Sequence, residues 1–174
     1  IVEVRRFGQA GDPRPTVVLA IRSDLDLAEQ VTAKGATWLD HRLVERDSMP
    51  LAMGGFGRET RQAMEARTEH LIREGLARRQ GQRIILQRNL LNTLRQLELD
   101  QVAAKVSADT SLPYVKSESG EHVAGTYRQR LTLASGRFAM IDNGLGFQLV
   151  PWSRELERRL GQHVTGVVKD GGGI

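Results

Sequence analysis

Residues 123–152 read VAGTYRQRLTLASGRFAMIDNGLGFQLVPW, and this stretch decides the fold. From His122 to Leu133 the side chains alternate. Val123, Gly125, Tyr127, Gln129, Leu131 and Leu133 fall to one side, and Thr126, Arg128, Arg130 and Thr132 to the other. A period of two is that of a strand with one wet face, because successive side chains leave a pleated backbone in opposite directions. Ser135-Gly136 marks a turn, and Arg137 to Ile141 forms a second, more apolar strand. Asp142-Asn143-Gly144 follows, and Asn-Gly accepts the positive φ angles of a tight type I′ hairpin turn. Leu145, Phe147 and Leu149 share a face of a third strand, which Pro151 ends. Beyond it Ser153 is placed to cap a short helix, Arg154 to Leu160, stopped by Gly161, and His163 to Val168 is a last strand. Three hairpin strands, a helical turn and a closing strand predict a small SH3-like antiparallel β-barrel over residues 121–170.

Upstream, Asn89 is placed to cap a helix reaching about Asp109, in which Leu90, Leu91, Leu94, Leu97, Val102 and Val106 recur at helical spacing and are expected to be buried. Ser107 to Gly120, polar and with one proline, is the linker into the sheet. Before the leucine helix, Arg58 to Glu74 reads as a helix closed by Gly75, with Leu76 at the hydrophobic position of a Schellman motif. The next residues, LARRQGQRIILQ, read as two strands joined at Gln80-Gly81. A helix that runs into a basic hairpin is the local pattern of a winged-helix wing, so residues 51–112 read as a winged-helix-like helical segment. Residues 1–50 hold a β-hairpin and short helices. Ile1 to Val4 and Thr16 to Ile21 are strands joined by the glycine- and proline-rich FGQAGDPRP. Asp26 with Glu29 has capping-box spacing, and Thr37 with Asp40 repeats it. Trp38 is expected to anchor a core. Arg46 to Gly57 is a hinge by composition, and its Gly-Gly-Phe-Gly lacks the frame of a phosphate loop. Gly171-Gly172-Gly173 reads as a flexible end. The fold class is α+β.

At 174 residues the chain can bury a real core, and a charged share of 26% with 40% hydrophobic residues is that of a globular protein. No apolar run approaches the ~18 residues that span a bilayer, so membrane insertion is not expected. IVEVRRFG lacks the features of a secretory signal, and a chain opening on Ile1 is expected to be part of a longer protein. The absence of cysteine removes disulfides, thiol catalysis and zinc–cysteine sites, and fits a reducing cytoplasm. Net charge is +4, with arginine far commoner than lysine. Guanidinium groups fork phosphates and stack on bases, which points toward nucleic acid; an arginine-rich codon bias gives the same composition with no partner.

Candidate contact residues follow from these placements. Arg78, Arg79 and Arg83 stand on or beside the basic hairpin, with Arg58, Arg61 and Arg88 near it in sequence. Arg128, Arg130 and Arg137 on the barrel form a second set. Trp152 is placed either to stack on a base or to plug the barrel. The hairpin also reads as a solvated basic cap on a helical layer, and the nucleic-acid reading is slightly preferred. No catalytic set is present: His41, His70, His122 and His163 are scattered, without metal-ligand spacing, and Tyr114 and Tyr127 have no histidine cluster beside them. No metal or cofactor is expected in this chain.

Three blocks carry a resemblance: SDLDLAEQVTAKGATWLDHRL, GGFGRETRQAMEARTEHLIREGLARRQGQRIILQRNLLNTLR and VAGTYRQRLTLASGRFAMIDNGLGFQLVPWSRELERRLGQHVTGVV. They resemble the domain of undescribed function that forms the C-terminal region of bacterial conjugative relaxases, the relaxase/mobilisation nucleases, over nearly the whole chain. The resemblance implies a parent that nicks one DNA strand at a transfer origin with an N-terminal tyrosine and a histidine-held metal, then pilots the strand through a type IV secretion system during plasmid or integrative-element transfer. That active site has no counterpart in this sequence, so the chain itself is expected to be a non-catalytic accessory domain. The family's segment tends to run on past the glycine-rich end, which implies a further barrel strand. Two readings of its partner follow. One is DNA, single-stranded or duplex, near the transfer origin. The other is the secretion coupling protein or other relaxosome components, which would read the domain as an interaction or translocation-signal module.

Overall fold

The computed structural model describes residues 1–7, 16–45 and 50–169, without the side chains of residues 3–7 and 16–18. The loop expected over FGQAGDPRP, the first residues of the Arg46–Gly57 hinge and the glycine-rich end therefore lie, all but Phe7, outside the described residues. The fold is mixed α+β, in two compact units, Ile1–Asn92 and Thr93–Ile174.

In the first unit, β1 (Val2–Phe7) and β2 (Thr16–Ile21) pair antiparallel. Three helices follow: α1 (Leu27–Thr32), α2 (Trp38–Val44) and α3 (Gly55–Arg73), with α3 lying against both of the others. Both expected capping boxes form. Asp26 accepts from the Glu29 N–H while Glu29 accepts from the Asp26 N–H, and Thr37 and Asp40 do the same. Each box satisfies N–H groups that a helix start otherwise leaves bare. The end of α3 is the expected Schellman motif: Leu76 N–H donates to Leu71 O, Gly75 N–H donates to Ile72 O, and Gly75 takes φ 75°. The chain then turns into the hairpin β3 (Ala77–Gln80) and β4 (Arg83–Leu86).

The interior of this unit is only partly apolar. Ala36, Leu39, Ala63, Leu71 and Ala77 are buried, and so are Gln30, Thr37, Asp40, Thr60 and Arg67. Every guanidinium N–H of Arg67 has an acceptor: Asp40 Oδ1 and Oδ2 and the carbonyls of Val31, Ala33 and Gly35. Gln30 adds a second tie, donating to Leu25 O and accepting from the Leu39 N–H. Trp38, expected in the core, is half-buried instead, tilted against Phe56 with ring centroids 6.5 Å apart.

The second unit is built on α4 (Leu90–Thr110), from Thr93 onward, and a four-stranded antiparallel sheet of order β7–β6–β5–β8. These strands are β5 (His122–Leu133), β6 (Gly136–Asp142), β7 (Phe147–Pro151) and β8 (His163–Val167). The first half of β5 pairs with β8 and the second half with β6. A bulge between Tyr127 and Gln129 leaves Arg128 without a partner in the register, and a bulge bends and twists its strand. The sheet therefore curls into a half-barrel.

The bulge also corrects the single wet face read from the alternation of β5. Before it, Val123 and Tyr127 point into a core with Ala139, Ile141, Val150, Leu156, Val164 and Val168. After it, Leu131 and Leu133 point to the opposite face, where Phe138, Met140, Phe147 and Leu149 meet Leu99, Ala103 and Val106 of α4. The side chains keep period two along the sequence while changing faces in space. Each face of the sheet carries a buried cluster. Leu90, Leu94 and Val106 of the expected leucine stripe are buried, but Leu97 is turned out to solvent and Leu99 and Ala103 take the inward positions.

The β6–β7 connection is also not the tight type I′ turn expected. Only Gly144 has positive φ there, and a longer loop is closed by side chains: Asp142 Oδ1 accepts from Gly144 N–H, and Asn143 Oδ1 from the N–H groups of Leu145 and Gly146. Leu145 sits exposed at its tip rather than on the strand face. Close approach fixes Gly125, because a Cβ there would lie 2.5 Å from the Asp142 carbonyl oxygen. After β7, Arg154–Arg159 is a 3₁₀ helix, and Ser153 makes no side-chain cap bond to it. Among the described residues no helix is long and apolar enough to cross a membrane.

Candidate nucleic-acid interface

The register of the first unit's hairpin sorts its arginines. Arg79 pairs with Ile84 and lies on the same face as the buried Ala77, while Arg78 (opposite Ile85) and Arg83 (opposite Gln80) lie on the other. Arg79 on the inner face is bound by Glu69 of α3. Together with Ile84 it helps to wall a cleft of 570 Å³ that includes Leu43, Leu51 and Met64. Arg78 and Arg83 are exposed on the outer face. Arg61 is spent on structure, donating to the carbonyls of Leu51, Ala52 and Met53 ahead of α3. Arg58, in the first turn of α3, and Arg88, after β4, are exposed. The structure therefore separates the first candidate set into an outward pair, Arg78 and Arg83, two side chains bound within the unit, Arg61 and Arg79, and the exposed Arg58 and Arg88.

The second unit brings its candidates together. The bulge residue Arg128 donates from Nε to Asp142 Oδ2 at 2.9 Å. The Asp142 carboxyl is held below its usual range mainly by the Gly144 N–H and also by Arg128, against the opposing effect of burial. After the bulge, Arg130 and Arg137 fall on the face that carries Ala139 and Ile141, and Trp152 joins them from the end of β7, its N–H donating to Arg137 O. Both guanidiniums lie over the Trp152 ring, at 5.6 Å for Arg130 and 5.8 Å for Arg137. That is within the range of cation–π attraction. Trp152 itself is half-buried and packs against the core beneath the sheet face. Its indole N–H makes no hydrogen bond of good geometry, yet it lies close enough to the Tyr127 hydroxyl to offset in part the upward push that burial gives that group.

One element of this cluster escaped sequence reasoning. Glu157, on the 3₁₀ helix, accepts from Arg130 Nη1 at 3.2 and 3.3 Å. It lies 27 residues from its partner, and only the return of the chain from β7 to β8 places it there. No local pattern signals such a contact. The same holds for Glu69 beside Arg79 and Asp142 beside Arg128. Among the described residues no three His, Cys, Asp or Glu side chains gather as metal ligands.

Over residues 4–174 the sequence matches the family described as a protein of unknown function, DUF3363. The chain belongs to the DUF3363 family. No curated protein and no solved structure matches it. In this DUF3363 chain the cation–aromatic cluster brings three of the sequence-derived candidates together, two guanidinium groups that can fork an anion and an indole ring.

Proposed function

We propose that this chain is a non-catalytic accessory domain of a conjugative DNA relaxase, acting in the bacterial cytoplasm and contacting DNA during plasmid or integrative-element transfer. The active site of the parent lies outside these residues in this reading. The observation that carries it is the convergence of Arg130, Arg137 and Trp152 on one sheet face. Two guanidiniums and an indole offer charge for phosphate and π surface for bases. The first unit adds a second contact: α1, α2, α3 and the β3–β4 hairpin follow one another as in a winged helix, with Arg78 and Arg83 on the outer face of the wing. The half-barrel of the second unit reads as an SH3-like platform.

The test is a DNA titration at about 50 and 200 mM salt, in which affinity should fall steeply as phosphate-bound counterions are released. An Arg130→Ala/Arg137→Ala variant should bind more weakly and with a shallower salt slope. Absence of binding at the lower salt overturns the reading.

A second reading, docking to the secretion coupling protein or a relaxosome partner, draws on the exposed Phe56 in the first turn of α3, tilted against Trp38, and on the exposed Met53 ahead of that helix. Retention of the coupling protein on nuclease-treated chain, lost in Phe56→Ser, is its signature.

A further inference from the structure

We infer that the Arg130–Trp152–Arg137 cluster takes an unpaired base together with its adjoining phosphates, so that its ligand is single-stranded rather than duplex nucleic acid. The inference rests on the nucleic-acid reading above and narrows it. In a duplex the π faces of the bases are covered by their stacked neighbours, and only edges and phosphates are offered to a protein. A ring with planar cations against it gains from a nucleic acid only when a base face is free to join the stack. Here the indole is fixed in place from below by the Val123–Tyr127–Ala139–Ile141 core, and from the side by the Trp152–Arg137 backbone bond. A platform already ordered loses little freedom on binding.

The cations are equally confined. Arg137 lies beside Trp152 on the neighbouring strand, and Arg130 is one strand further over on the same face. Both are therefore within one ring's reach of the same indole. So tight a set matches consecutive phosphates flanking one base on a single strand. It does not match the two separated backbone rows of a duplex. Arg130 is already held by Glu157, and because that pair is exposed and weak, a phosphate can displace the carboxylate.

The chain has two tryptophans, Trp38 in the first unit and Trp152 in the second. A Trp38→Phe variant of the full chain therefore makes Trp152 the sole indole reporter. Three probes are titrated into it at low salt: a thymidine oligomer of about 15 nucleotides, a duplex of the same length and an abasic oligomer with the same backbone. The expected result is quenching of Trp152 by the thymidine oligomer alone, with an affinity at least about tenfold above that for either other probe. Trp152→Ala should lower thymidine-oligomer affinity roughly 5- to 100-fold. Because Trp152 also packs on the core, an Arg130→Lys/Arg137→Lys variant, which keeps the charge and removes both planar groups, provides a second arm. It should lose affinity for the thymidine oligomer and keep that for the abasic one. Duplex binding equal to or tighter than thymidine-oligomer binding, or thymidine-oligomer binding without quenching, overturns the inference and leaves the DNA-contact reading standing. Failure of all three probes to bind overturns both.

Discussion

Arg67 of α3 and Asp40 of α2 form a two-bonded ion pair, Nε to Oδ1 at 2.9 Å and Nη2 to Oδ2 at 2.8 Å, with both side chains wholly out of water. The pair joins the helices of the first unit, and its members are doubly committed. Asp40 also closes the capping box of α2, accepting from both the N–H and the hydroxyl of Thr37, and Arg67 also donates to the carbonyls of Val31, Ala33 and Gly35 at and beyond the end of α1. Helices of six and seven residues are too short to be stable by their own hydrogen bonds. They are held here by a charged side chain from a long one.

Breaking this pair should be among the most costly single changes in the chain. Asp40→Asn leaves a guanidinium buried without its counter-charge, and the expected loss is about 3–5 kcal/mol, read from the urea midpoint. Many buried ion pairs can be exchanged for apolar residues at little cost. This one should not be, because Asp40→Leu/Arg67→Met also strips the donors from the carbonyls of Val31, Ala33 and Gly35, at about 1–3 kcal/mol for each one left buried and unpaired. A double variant as stable as the wild type would show that those carbonyls find other partners.

Glu98 of α4 ties the sheet of the second unit to its helix. Its carboxylate oxygens accept from the N–H groups of Ala134 and Ser135 in the β5–β6 turn, at 2.8 and 2.9 Å, and the side chain is buried. Hydrogen bonds to a charged group are worth about 1.5–3 kcal/mol each. Glu98→Ala, which removes both, should therefore cost roughly 3–6 kcal/mol in denaturant unfolding, with faster amide exchange confined at first to the turn. Glu98→Gln, which keeps one acceptor oxygen, should lose about half as much. Equal losses for the two variants would mean that packing, not the carboxylate, is what matters at this position.

These two contacts mark where sequence reasoning stops. What depends on residues within one turn of each other was legible: the capping boxes at Asp26 and Thr37, the Schellman end at Gly75 and Leu76, and the order of hairpins from His122 to Pro151. Each is a local competition for backbone hydrogen bonds, and the residue types settle it. The bulge at Arg128 was not legible, because alternation along β5 continues through it unchanged while the face reverses. Leu97 and Leu99 both fit a helical stripe, and only the position of the sheet decides which is buried. Arg67 meets Asp40 across 27 residues and Glu98 meets its turn across 36, so neither leaves a mark in spacing. In the candidate site the cations and the indole were legible as residue types, whereas Glu157, which restrains one of them, was not.

Stability should decline below neutral pH through His70. Burial, and after it Arg67, holds this imidazole below its ordinary value of 6.5, and Glu74 only partly opposes them. The folded state therefore binds fewer protons than the unfolded chain as pH falls through the unfolded value. The stability present above that value is lost progressively until the lower, folded value is passed. His70→Gln should flatten this part of the profile. The check is the urea midpoint of both proteins at about pH 7.5 and 5.5: the drop should be smaller in the variant. An identical drop would assign the acid sensitivity to other groups.

Glu157 should act as a built-in competitor at the cation–aromatic cluster. Arg130 touches both the Trp152 ring and the Glu157 carboxylate, and a phosphate that pairs with it competes with that carboxylate. An exposed pair of this kind is worth about 0.2–1 kcal/mol, so Glu157→Gln should raise affinity for a thymidine oligomer about 1.5- to 5-fold in anisotropy titrations. Removing any carboxylate also makes the chain more basic, which strengthens binding to a polyanion without a specific contact. Glu155→Gln, a neighbouring exposed position on the same 3₁₀ helix, measures that general effect. The part of the gain due to release of Arg130 should vanish when both glutamate variants are repeated in an Arg130→Gln background. If Glu157→Gln and Glu155→Gln remain equivalent in the presence of Arg130, the carboxylate does not restrain the site.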